Sequence, residues 1–158
     1  MPPRVIRRIA ALLSITLPIT LAMAACQADK TDRAGNLIPG DATPGTYWQG
    51  DRSLAAERAY VVARNAQEWT DLWARVGDPA PAGLPGDRIA VAVFLGPRDT
   101  AGYAVAIDRA QMAGGDLQVG FRERVPGPAQ TVASSQTSPY AIRLLPRVEG
   151  TPKFHRDK

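Results

Sequence analysis

The chain has one cysteine, Cys26, and one histidine, His155. These two residues bound the chemistry it can do. A thiolate is a nucleophile and a metal ligand. A Cys–His or Ser–His–Asp arrangement also needs a base held rigidly against the nucleophile and oriented by a third group. His155 stands three residues before Lys158, a poor position for such a base. Ser134, Ser135 and Ser138 lie in no G-x-S-x-G context. No His/Cys/Asp/Glu cluster has metal-ligand spacing, and the glycine-bearing turn from Gly96 to Gly102 lacks the G-K-[ST] ending that cradles phosphate. The expectation is a chain with no catalytic residue, no metal site and no cofactor. An enzymatic reading would need two of its scattered carboxylates to meet in a polar pocket.

Cys26 has a different chemistry available, set by what precedes it. The chain begins basic and acid-free (Arg4, Arg7, Arg8), continues apolar from Ile9 to Ala22, and reaches Ala24-Ala25 just before the cysteine. That order is the pattern of a secretory signal peptide. Ser14, Thr16, Pro18 and Thr20 interrupt the apolar part, which falls short of the roughly 20 apolar residues of a membrane-spanning helix. A lone cysteine in this position resembles the lipobox of bacterial lipoproteins. The resemblance implies cleavage between Ala25 and Cys26, a diacylglycerol on the thiol and a membrane anchor there. Met23 stands where lipoboxes carry Leu, Val or Ile. Two alternatives stay open: cleavage after Ala24, at the A-x-A site Ala22-Met23-Ala24, giving a soluble periplasmic protein, or retention of an uncleaved anchor. Gln27 after the cysteine, by the same resemblance, favours the outer membrane over the inner. All three readings place the rest of the chain in the cell envelope.

Charge narrows the partners. The formal net charge of +4 includes three arginines of the leader, so the remainder holds 16 basic and 15 acidic residues. A near-neutral chain without a clustered basic face has no electrostatic footprint for nucleic acid, and Lys153, His155, Arg156 and Lys158 read as a solvated tail. One cysteine cannot form an internal disulfide, so the fold must hold by apolar burial.

The elements that would position any site follow from periodicity. Residues 1–25 read as the signal peptide, 26–51 as a flexible linker rich in Pro and Gly, and 52–158 as one domain. Tyr47 and Trp48 are the aromatics of the linker and are expected to pack on the domain edge, contact with a partner or membrane surface being the alternative. Glu57–Arg64 alternates as a strand. Asn65 with Glu68 forms a capping-box-like N-x-x-E, Trp69, Leu72, Trp73 and Val76 make one stripe of a helix, and Gly77 ends it. Both tryptophans are expected in the core. Strands are expected at Arg88–Leu95, Tyr103–Ile107, Asp116–Arg124 and Ala141–Leu145, with an edge strand around Phe154. The fold class is α+β: one amphipathic helix packed on a mostly antiparallel twisted sheet of about five strands.

Laid out in order, these segments carry recurring short motifs: Phe94-Leu95-Gly96, Gly102-Tyr103-Ala104-Val105, Gly114-Gly115-Asp116-Leu117-Gln118-Val119, Pro126-Gly127-Pro128 and Thr137-Ser138-Pro139-Tyr140. Their order and spacing resemble the C-terminal domain of the protease-complex subunit PrcB family, over about Glu57 to Phe154. Ala101 stands where the family pattern has the first glycine of G-G-Y. The resemblance implies an accessory envelope lipoprotein that associates with a protease complex, and it brings no catalytic residues. A protein partner is therefore expected, a protease among the choices. The contacts are expected on two loops, Gly96–Ala101 with Arg98 and Asp99, and Val125–Thr137 with Pro126 and Pro128, because loops on rigid scaffolds carry binding. A protease inhibitor presenting one of these Pro-braced loops is the alternative.

Overall fold

The computed structural model describes residues 37–38 and 45–158. Ala25, Cys26 and the leader lie outside the described residues. The element order is β1 (Tyr47–Gly50), β2 (Ala59–Ala63), α1 (Ala66–Val76), β3 (Arg88–Phe94), β4 (Ala104–Ala113), β5 (Asp116–Arg124), β6 (Tyr140–Pro146) and β7 (Thr151–Arg156). The strands form two sheets rather than one, β1-β6-β3-β2 and β4-β5-β7. The class remains α+β and mostly antiparallel, but β7 runs parallel to β5.

The continuous apolar run of β3 explains the layering. Ile89, Val91 and Val93 face a core between the sheets, with Ile107, Val119 and Phe121 across from them. Ala90, Ala92 and Phe94 point the other way, into a second core roofed by Trp69, Leu72, Trp73 and Val76 of α1. A strand buried on both faces needs no polar alternation, and all six of these β3 residues are fully buried. The helix ends as its sequence dictates. Asn65 is extended (φ −142°) and its side chain accepts from Glu68 N–H at 2.9 Å. Glu68 in turn accepts from Arg64 N–H at 2.6 Å, one residue earlier than a standard capping box. Gly77 is left-handed at φ 96° and donates to Trp73 O at 3.0 Å.

Two departures from the sequence expectation have physical causes. Tyr47–Gly50, assigned to the linker, pair with β6 through Tyr47↔Arg143 to Gly50↔Tyr140. Four residues are too few to show a period, and tertiary contacts make this strand. Tyr47 meets the inter-sheet core, with the Arg143 guanidinium 4.4 Å from its ring centre. Trp48 meets the helix core, 5.7 Å from Trp69 and 5.6 Å from Trp73, ring centre to ring centre. Farther back, Leu37 N–H donates to Ala110 O and Ile38 is buried among the inter-sheet residues. The second departure is β4, which continues past Ile107 to Ala113. A register shift between Ile107 and Arg109 sends Ala110 inward and breaks the alternation. A bulge of this kind hides a strand's second half from a period-two reading.

Candidate functional site

The two loops singled out above are clamped to each other. Arg98 N–H donates to Thr137 O at 2.7 Å, and Thr137 N–H returns a bond to Arg98 O at 2.9 Å. Ala101 N–H reaches Ala133 O at 3.0 Å, and the Thr137 hydroxyl donates to Thr100 O at 3.0 Å. The segment before β2 is stitched to the same place. Ser138 N–H donates to Asp51 O at 2.8 Å, Ser138 Oγ to Ala55 O at 3.3 Å, and Ser53 Oγ to Ser138 O at 2.9 Å. Thr137 and Ser138 are thus buried polar residues with their hydroxyls bonded, as burial requires. Between the three segments lies an open groove of about 570 Å³ lined by Ser53, Leu54, Pro97, Gln136 and their neighbours. Leu54 is 74% exposed at its rim.

Glycine geometry sets how closely these segments approach. Gly96 sits at φ 73°, and a Cβ there would come within 2.7 Å of the Glu57 carbonyl carbon and 2.9 Å of Arg58 N. Only glycine meets both demands. Gly102 plays the same part for the second loop, where Pro126 packs on it and a Cβ would meet Pro126 Cγ at 2.9 Å. Pro126 is therefore half-buried, while Asp99 and Pro128 are exposed. Pro128 belongs to the exposed stretch 127–131, closed by Gln130 N–H donating to Gly127 O at 3.0 Å.

Arg98 also faces a group that the sequence reading missed. In β5, Leu117, Val119 and Phe121 point inward, and the next inward position is Glu123. Its side chain is only 5% exposed. Three arginines surround it, Arg58 just before β2, Arg98 in the loop after β3 and Arg156 at the end of β7. Arg58 donates to both carboxylate oxygens at 2.9 and 3.2 Å. Arg98 lies 3.6 Å from one oxygen and Arg156 3.6 Å from the other. The period-two pattern marks Glu123 as inward, but no local signal marks Arg58 or Arg156 as its partners.

Burial alone would raise the Glu123 pKa. Hydrogen bonding and charge from Arg58, then the charges of Arg98 and Arg156, outweigh burial and hold it below the ordinary 4.5. A carboxyl depressed in the folded state adds stability above its unfolded value and loses it as pH falls toward the folded one. Glu123→Gln is therefore expected to be less stable than wild type at neutral pH by about 1–2 kcal/mol, the lower range for charged hydrogen bonds, because the guanidiniums keep water contact. The gap should close as pH drops below 4.5. Thermal melts of both proteins across that range check it, and a gap that stays constant would contradict this role for Glu123.

The remaining residues with potential chemistry are dispersed. His155 Nε2 is 3.5 Å from Asp157 Oδ1 on the opposite side of β7's pleat from Phe154. Ser134 is exposed and Ser135 half-buried. Among the described residues, no group of three His, Cys, Asp or Glu side chains is placed to hold a metal ion.

Comparison with known proteins adds one finding. Residues 89–143 match the family model described as PrcB C-terminal, a span from Ile89 in β3 to Arg143 in β6 that contains both loops and Glu123. No curated protein and no solved structure matches the chain.

Proposed function

We propose that this chain, whose residues 89–143 belong to the PrcB C-terminal family, is a non-catalytic accessory subunit that binds a protein partner, a protease complex, at the cell envelope. One observation carries the reading. Two Pro/Gly-rich loops that would each be mobile alone are joined by the Arg98–Thr137 backbone pair into one braced surface beside an open groove. A preorganised surface binds with less ordering cost than free loops. The family's association with a protease complex supplies the class of partner.

The anchor is the diacylated Cys26, with residues after it as the tether and the outer membrane as the destination. Cys26→Ser tests this part directly. The wild-type chain should sediment with membranes and its N-terminal peptide should carry the mass of the acyl groups. The variant should be absent from the membrane pellet. A soluble wild-type chain beginning at Ala25 would overturn the anchor and favour cleavage after Ala24.

A second reading rests on the exposed 127–131 stretch between Pro126 and the Ala133 contact. There the chain inhibits a protease by presenting that segment to its active site. The two readings differ in a simple assay. An accessory subunit leaves periplasmic proteases uninhibited or raises their activity, whereas an inhibitor lowers the rate of at least one, and cleavage-resistant changes at 127–131 would abolish the effect.

A further inference from the structure

The free edges of the two sheets run side by side without hydrogen-bonding as strands. Tyr60 of β2 stacks on Phe154 of β7, ring centres 5.1 Å apart. Two residues before Tyr60 is Arg58, and two residues after Phe154 is Arg156. Both reach Glu123, so the seam continues antiparallel, with successive same-face residues meeting in order. In the other direction Val62 and Pro152 line the groove, and Arg64 donates to Val148 O at 2.6 Å and Gly150 O at 2.8 Å. The result is an open groove of about 550 Å³ with Tyr60 and Phe154 as its aromatic floor and Arg64 and Glu68 at one end, and the arginines around Glu123 continue the seam beyond the aromatic pair at the other.

The stretch of the seam beyond Tyr60 and Phe154 carries three guanidiniums and one carboxylate. Arg58 spans both oxygens of Glu123 with its Nη2 alone. Arg98 and Arg156 lie at ion-pair distance only, and their side chains are 23% and 62% exposed. A guanidinium has five N–H donors in a planar fork matched to a carboxylate. Arg98 directs one of them to Pro97 O at 2.9 Å. Glu123 thus orients the cluster but neutralises one charge of three. What complements the remaining two is a second, external carboxylate.

We infer that this seam is the docking groove for an extended acidic segment of the partner protein, with an apolar side chain over Tyr60 and Phe154 and a Glu or Asp carboxylate on Arg98 and Arg156. β2 supplies an edge of five residues, Ala59-Tyr60-Val61-Val62-Ala63, without charge or proline. Such an edge accepts an added strand. The inference rests on the protein-binding reading above and deepens it by naming the chemistry of the partner.

The test uses the full-length chain and a short fluorescent peptide alternating valine and glutamate, amidated at its C-terminus, with the glutamine version as control. Fluorescence anisotropy should show binding of the glutamate peptide that weakens with added salt. Arg98→Ala/Arg156→Ala should weaken it at least tenfold. Arg75→Ala, on α1, should leave it unchanged, and an unshifted thermal melt shows the double variant folded. If that variant melts early, the single Arg156→Ala, at the most exposed arginine, replaces it with an expected loss of about threefold to tenfold, one to two ion-pair contacts' worth. Equal binding of the glutamine peptide, or an unchanged affinity in the arginine variants, would overturn the inference. So would binding to phosphatidylglycerol vesicles through these arginines without peptide binding. A partner captured through the braced loops while the peptide fails would sink this groove and leave the protein-binding reading standing.

Discussion

Gly96→Ala is expected to cost the domain roughly 2–5 kcal/mol. A non-glycine residue in the left-handed region loses about 1–2 kcal/mol, and φ at this position is 73°. The added Cβ would also press on main-chain atoms, Glu57 C at 2.7 Å and Arg58 N at 2.9 Å, which cannot rotate aside as a side chain would. Overpacking of this kind costs about 1–3 kcal/mol more. Because Arg58 must retreat, its Nη2 bonds to both oxygens of Glu123 should be lost with it. Chemical denaturation with an unchanged m-value would report the stability change. Gly83→Ala, where nothing lies within 4 Å of the new Cβ, should be within about 0.5 kcal/mol of wild type. If the two variants behaved alike, the close approach of residues 57–58 to the β3 end would be wrong.

Trp48→Ala should destabilise the domain by about 3 kcal/mol, the lower end for removing a large aromatic from a core because Trp48 is only partly buried. Its ring meets Trp69 and Trp73 in tilted and edge-to-face geometry, which adds to the area term. A residue in a free linker would cost nothing measurable, so the two pictures of residues 47–50 differ by nearly the whole effect. The matching observation is optical. Loss of Trp48 should also change the near-ultraviolet circular dichroism of the remaining Trp69–Trp73 pair, whose ring centres are 5.5 Å apart.

The contrast between these two residues shows what the sequence makes legible. α1 was readable in full, because cap, stripe and stop are local and agree with one another. β3 was readable because six residues, Ile89 to Phe94, buried on both faces leave an unbroken apolar run. β1 was not, since its identity depends on β6, nearly a hundred residues later, and on the helix core that Trp48 enters. The division into two sheets was equally hidden. Alternation tells which face of a strand is buried, not which neighbours it pairs with, and the bulge after Ile107 erased even that signal for the second half of β4.

The site divides along the same line. Both loops were legible as Pro- and Gly-rich breaks, and Thr137-Ser138-Pro139-Tyr140 as a motif, although its hydroxyls turn out to stitch the fold: Ser138 bonds Ala55 and Thr137 bonds Thr100. What stayed hidden was that Arg98 and Thr137 pair, and that Glu123 waits for Arg58, 65 residues away in the chain. Contacts of that separation carry no periodicity. They follow from the fold and are visible only there.

The measurement that bears most directly on protein binding is site-specific photo-crosslinking of the whole chain in intact cells. A photoreactive residue is placed at Asp99 or Gln136 on the braced loop surface, and at Gln67 on the exposed side of α1 as the comparison; all three side chains are exposed. One discrete adduct is expected, the same at Asp99 and Gln136, containing a protease or a subunit of its complex, and none from Gln67. No adduct from either loop position, or the same adducts from all three, would contradict it.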